Sequence, residues 1–74
     1  MPHPEDVEIR DDMIRLGQFL KLAGVVDDGA QARETVADGL VIVNGEAETR
    51  RGRQLHPGDT VELADGPVLR VTRG

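Results

Sequence analysis

The sequence contains no cysteine, tryptophan, tyrosine or serine, and its one phenylalanine is Phe19. Each absence closes off a class of function. Without cysteine there is neither a disulfide staple nor a thiolate metal site, a usage that fits the reducing cytoplasm, where the protein is expected. With one aromatic ring, bases have almost nothing to stack on, which disfavours single-stranded nucleic-acid platforms. No run is apolar and long enough to span a membrane or form a signal-peptide core, so no membrane association is expected. Serine and cysteine nucleophiles are missing, and no glycine-rich loop precedes a helix to cradle a nucleotide phosphate. His3 and His56 have no partner at ligand or catalytic spacing and read as solvated side chains. The acid pairs Asp11-Asp12 and Asp27-Asp28 read as caps or solvated residues, because neighbours at a helix start do not converge on one cation. The expectation is a non-enzymatic protein without metal or cofactor.

What is present is enough for one small domain over residues 1–74. At this length only about 60% of the unfolded chain's surface is buried on folding. The core must come from nine valines, seven leucines and three isoleucines, with alanines at close contacts. Residues 1–6, with Pro2 and Pro4, read as a loose start. Val7 and Ile9 alternate with Glu8 and Arg10, the period of a half-exposed strand. Asp11 and Asp12 then turn the chain or cap the next element. Met13, Leu16, Phe19, Leu20 and Ala23 form one apolar stripe of a three-turn helix, with Arg15, Gln18 and Lys21 off the stripe. Gly24 suits a left-handed stop, after which Val25-Val26 fold back. Gly17, costly inside a helix, reads equally as a close approach by another segment or as an ordinary interior glycine.

Asp28 and Gln31 have the spacing of a capping box opening a second helix of about two and a half turns. Ala30, Ala32, Val36, Ala37 and Leu40 would pack it, Arg33 would project outward, and Gly39 would end it. Val41-Ile42-Val43 reads as a strand and Asn44-Gly45 as a type I′ turn. Pro57-Gly58-Asp59 and Asp65-Gly66-Pro67 read as turns flanking the strand Thr60–Leu63, and Val68–Val71 as a last strand. Strand, helix, helix, then three or four strands make an α+β domain, with two short helices on one side of a small, mainly antiparallel sheet.

The net charge of −5 opposes long-range attraction to a polyanion. Its distribution matters more. Residues 1–40 hold nine acids and four bases, whereas residues 41–74 hold five of each. Arg50, Arg51 and Arg53 fall within four positions, and screening over about 8 to 10 Å lets such a cluster act locally. Arginine grips phosphate oxygens in a fork and tolerates partial desolvation. The alternation of Glu46 and Glu48 suggests that both share one face and leave another basic. Arg15, Lys21 and Arg33, placed on the outer sides of the helices, would add a second basic rim. Without stacking residues, the scheme that remains is recognition of folded RNA by phosphate and shape.

At these residues the sequence resembles the S-four domain family, the RNA-binding module named after ribosomal small-subunit protein four. The match runs through Arg15-Leu16, Leu20 to Gly24, Gln31-Ala32-Arg33, Gly39 with Val41 and Val43, Asn44-Gly45 and Pro57-Gly58-Asp59, covering roughly residues 15–63. Gly17 to Gly24 and Glu48-Thr-Arg-Arg-Gly-Arg53 look like the small bacterial stand-alone members. The resemblance implies an alpha-L motif, a helix pair on a small bent sheet, with RNA held across the helices and the adjoining hairpin. Carried over position by position, it implies RNA contacts at Arg15, Lys21, Gln31, Arg33, Arg50, Arg51 and Arg53. Two departures stand out. Gly17 replaces an acid common in the family, and Asp27-Asp28-Gly29-Ala30 replaces serine and basic residues, which moves the expected weight of binding onto the arginine loop.

The expected partner is structured RNA, ribosomal or tRNA-like, bound by a monomer associated with the ribosome. Two rivals come from other classes. The acidic stretch Glu5, Asp6, Glu8, Asp11 and Asp12 could recruit a basic protein. The Asn-Gly and Pro-Gly-Asp turns also occur in ubiquitin-like sulfur carriers, whose chemistry needs a C-terminal Gly-Gly where this sequence has Arg73-Gly74.

Overall fold

The computed structural model describes residues 4–64 and 66–74. Met1, Pro2, His3 and Asp65 lie outside the described residues, and with them the readings of residues 1–3 as a loose start, of His3 as solvated and of Asp65 as part of a turn. Strand β1 covers Glu5–Ile9, so residues 5 and 6 of the supposed loose start are already paired. Ile9 is buried and Val7 half-buried, while Glu5, Asp6 and Glu8 face solvent, as the alternation requires.

The helical stripe begins later than its spacing suggests. Ile14–Arg15 form a two-residue strand, β2, and only Leu16–Leu22 is helical, as α1. Met13 and Ile14 are therefore half-buried residues ahead of the helix rather than its first turn. The reason lies far along the chain: β2 is held extended by an antiparallel ladder with Gln54–Leu55, which local periodicity cannot reveal. Asp11 and Asp12 sit in bends and do not cap α1; the cap position is Arg15, and Asp12 pairs with Arg73. Leu16, Phe19 and Leu20 are fully buried. At the other end Gly24 adopts φ +76°, the Gly24 amide donates to the Lys21 carbonyl and the Val25 amide to that of Leu20, and Val26 is buried.

Helix α2, Gly29–Ala37, opens on the expected box. The Gln31 amide donates to Asp28 Oδ1 at 2.8 Å, while Gln31 Oε1 reaches back one residue further than the usual pattern and accepts from the Asp27 amide at 2.6 Å. Ala32 and Val36 carry its packing. Ala30 and Ala37, expected on that side, are exposed, because a nine-residue helix buries a narrow stripe; Leu40, expected there too, lies beyond the Gly39 stop and is exposed.

After α2 come five strands rather than three or four: β3 (Val41–Val43), β4 (Glu46–Ala47), β5 (Gln54–Leu55), β6 (Thr60–Leu63) and β7 (Val68–Arg73). The two extra strands are two residues long, too short for alternation to register. The main sheet has the order β1-β7-β6-β3-β4, antiparallel throughout except for the parallel pair β1 and β7; β2 and β5 form a separate ladder. Register sets Val43 opposite Val61 and Val61 opposite Leu69, a row of three buried side chains across three strands. With Ile9, Val41, Val71 and Leu55 they join the helices' apolar residues in one core. The expected fold class is thus observed.

The Asn44-Gly45 and Pro57-Gly58-Asp59 turns are one hydrogen-bonded unit. Asn44 and Gly45 have φ of 50° and 86°, as a type I′ turn needs. The Asn44 side chain donates to Asp59 Oδ1 and accepts from the Thr60 amide, and Asp59 Oδ2 in turn accepts from the His56 amide. Replacing Asn44 by Ala removes its side-chain bonds to Asp59 and Thr60 and puts a less tolerant residue in the left-handed region, at a cost of about 1–2 kcal/mol. In a domain of this size that lowers the melting temperature by about 4–8 °C per kcal/mol; a thermal or urea transition indistinguishable from wild type would contradict the coupling.

Candidate nucleic-acid interface

The loop between β4 and β5 is built around a carboxylate. Glu48 is 6% exposed, the one buried charged residue among those described. Its Oε2 accepts from the Arg50 amide and Nε, both at 3.1 Å, and its Oε1 accepts from Arg50 Nη2 at 3.3 Å and Arg53 Nη1 at 2.8 Å. Four donors on two oxygens leave the buried group satisfied. The expectation that Glu46 and Glu48 share one exposed face is corrected here: Glu46 is exposed, whereas Glu48 turns inward because two guanidiniums close over it.

The loop backbone then caps α1. Arg15, at the cap position, offers no side-chain bond to the first turn. The exposed amides of that turn are taken by loop carbonyls instead: Leu16 donates to Arg53 at 2.8 Å and Gly17 to Arg51 at 3.0 Å. Arg15 Nη1 adds a bond to the Gly52 carbonyl at 3.2 Å. Gly17 accommodates the Arg51 stem in this approach, since a Cβ there would lie 2.6 Å from Arg51 Cγ and 3.1 Å from its Cδ and would force that side chain to shift. Of the two readings of Gly17 the close approach holds, and the approaching segment is the arginine loop.

The arginine cluster divides in two. Arg50 and Arg53 converge on Glu48, Arg53 with 31% of its side chain exposed and Arg50 with 75%. Arg51, one position away, points to the other side, where it joins Arg15 and Lys21 around a cleft of about 430 Å³. Gly17, Gln18, Gly29, Ala32 and Gly52 complete the lining, so three cations surround it and no carboxylate does. Arg15 belongs to β2 rather than to the helix face where spacing put it, and Lys21 lies in the last turn of α1. Gln31 is engaged in the α2 cap, and Arg33 is exposed on α2 but does not line the cleft. Sequence reasoning missed Glu48 and Gln18. The signal for Glu48 was its place among three arginines, which reads equally well as solvated charge.

Arg50, first, and Arg53 hold the Glu48 carboxyl at about 2 against an ordinary value of 4.5, with burial opposing them. A folded-state value below the unfolded one stabilises the fold at and above about pH 4.5, and the contribution is lost as pH falls toward about 2. We expect Glu48→Gln to be less stable than wild type at neutral pH, with the gap narrowing through that window. Urea unfolding at stepped pH checks it: a gap of equal size at about pH 5 and about pH 2 contradicts the linkage.

Known proteins share both this sequence pattern and this fold. The S4 domain family model matches residues 7–72. A Bacillus subtilis relative named "Probable ribosome maturation protein RlbA" is 47% identical over 57 residues, 77% of this chain and 80% of that protein. YbcJ of Escherichia coli, named as a candidate RNA-binding protein, is 41% identical over 55 residues, 74% of this chain and 79% of its own. The solution structure of YbcJ, described as revealing an αL motif involved in RNA binding, superposes with a TM-score of 0.71 at 33% identity, covering 97% of this chain and 91% of that one. With the same fold and a family model spanning nearly its whole length, the chain belongs to the S4 domain family.

Proposed function

We propose that this protein is a non-enzymatic RNA-binding domain that docks folded RNA, ribosomal or tRNA-like, by phosphate and shape contacts. It acts as a single domain and a monomer in the cytoplasm, in association with the ribosome or its precursors. The observation that carries the reading is the cleft at which Arg15, Lys21 and Arg51 meet without a carboxylate in the lining. In a chain of net charge −5 such a segregated site is the place where a polyanion is locally favoured. The near absence of aromatic rings leaves shape rather than stacking as the source of selectivity. The names of RlbA and YbcJ, and the αL motif of YbcJ, support the same class of ligand.

Within the set of residues that the family resemblance implies, Arg15, Lys21 and Arg51 make the central phosphate contacts. Arg50, exposed on the other side of the loop, is a secondary contact; Arg53 and Gln31 serve mainly by holding the loop and the α2 start, and Arg33 is peripheral. The rival reading, a basic protein recruited by the acidic stretch near β1, is weakened because Asp6 is paired with Arg70 and Asp12 with Arg73.

If three phosphates are neutralised, log K for a folded ribosomal RNA fragment falls against log salt with a slope of about −2 to −3. Alanine at Arg15, Lys21 or Arg51 flattens that slope by about 0.7–0.9 each, while alanine at Arg10, exposed in the bend after β1, leaves it unchanged. A slope near zero, or equal slopes in all variants, would sink the reading.

A further inference from the structure

Glu48 is an anomaly for a site that attracts phosphate. It places a negative charge inside the loop that supplies the cleft's Arg51, and it ties up two of the loop's three arginines. Charge alone would favour its removal. Its contacts show what it does instead. By accepting from the Arg50 amide, it ties its side chain to the backbone two residues on, and the Arg53 amide then closes a turn onto the Arg50 carbonyl at 3.2 Å. Arg53, gripped by Oε1, is the residue whose carbonyl takes the Leu16 amide. Arg51 sits at the apex between these two anchors, with its carbonyl on the Gly17 amide and its stem against Gly17. At the loop's near end, the Glu48 amide is itself fixed to the Val41 carbonyl at 2.9 Å.

We propose that Glu48 is a positioning residue for RNA binding, which preorganises the 48–53 loop so that Arg51 is already laid across Gly17, at the cleft, before RNA arrives. Glu48 touches no RNA. It raises affinity by removing the ordering cost of Arg51 from the binding step, an effect that exceeds the repulsion of its own neutralised charge. The inference rests on the RNA-binding reading, but its structural half concerns the RNA-free protein and is tested without RNA.

Two readouts on Glu48→Gln separate position from charge. Glutamine removes one negative charge and turns an NH2 toward the guanidiniums, so an electrostatic account predicts tighter binding. The positioning account predicts binding weaker by about five- to tenfold, the order expected when one or two long side chains must be fixed on association. It also predicts faster hydrogen exchange at the Gly17 and Leu16 amides in the free protein, with the Val61 amide of the central sheet as internal reference. Glu48→Asp retains the charge and shortens the reach by one methylene; if the glutamine variant fails to fold, the aspartate variant decides, with a smaller loss of both properties expected. Equal or tighter RNA binding with Gly17 protection intact overturns the proposal in either variant. If wild-type protein binds no folded RNA, the RNA-binding reading fails, while the exchange comparison still decides whether Glu48 orders the loop.

Discussion

The structure depends on how the start of α1 is satisfied. A helix leaves its first amides without partners, and most helices meet them with a side chain at the cap position or with water. Here Arg15 provides none, and the carbonyls of Arg51 and Arg53 do so instead. This one arrangement explains several features together. It explains why the helix begins at Leu16 although its apolar stripe starts earlier and why β2 and β5 pair at all, and it brings the Arg51 stem onto the side-chain-free Gly17. It also means that the loop carrying the arginines is part of the core architecture, continuous with the fully buried Leu16 and Leu55.

Charge is arranged with the same economy. The acids of β1 and the following bend lie on the strand at the far edge of the sheet, two of them matched by Arg70 and Arg73 of β7. The loop arginines are split by Glu48 into two that hold structure and one that faces the cleft. A total of −5 is therefore a poor description of the field at any one place, because separations beyond a Debye length of about 8 to 10 Å are screened. Family resemblance points to seven residues, whereas the fold gathers three of them, Arg15, Lys21 and Arg51, around one cavity.

Much of the fold was readable in the sequence because its signals are local. The Val7 and Ile9 alternation, the Asp28 and Gln31 box, the stops at Gly24 and Gly39 and the Asn44-Gly45 turn each act within a few residues, and each stands where spacing put it. The errors concern partners distant in sequence. Met13 fits a helical stripe until the Gln54–Leu55 ladder claims the neighbouring backbone, and Ala30 and Ala37 fit an apolar face that no element covers. Glu48 is the clearest instance: an acid among arginines has the same composition whether it is solvated or buried, and only three-dimensional closure of the loop distinguishes them. Gly17 gave the opposite lesson, since a residue that is unfavourable by local rules pointed to a contact that those rules do not contain.

The parallel pairing of β1 with β7 has a consequence for how the chain is made. In the sheet β7 lies between β1 and β6, so β1 has no strand neighbour until β7, about sixty residues later, has been made. While residues 68–73 are still within the ribosomal exit tunnel, the emerging helices and hairpin can collapse locally, but the backbone of β1 lacks its ladder partner. Contacts of such long sequence separation form late and set a slow folding step relative to local helix and hairpin formation. Until β7 is in place, β1 lacks its ladder partner and is an open strand edge that a neighbouring chain can occupy.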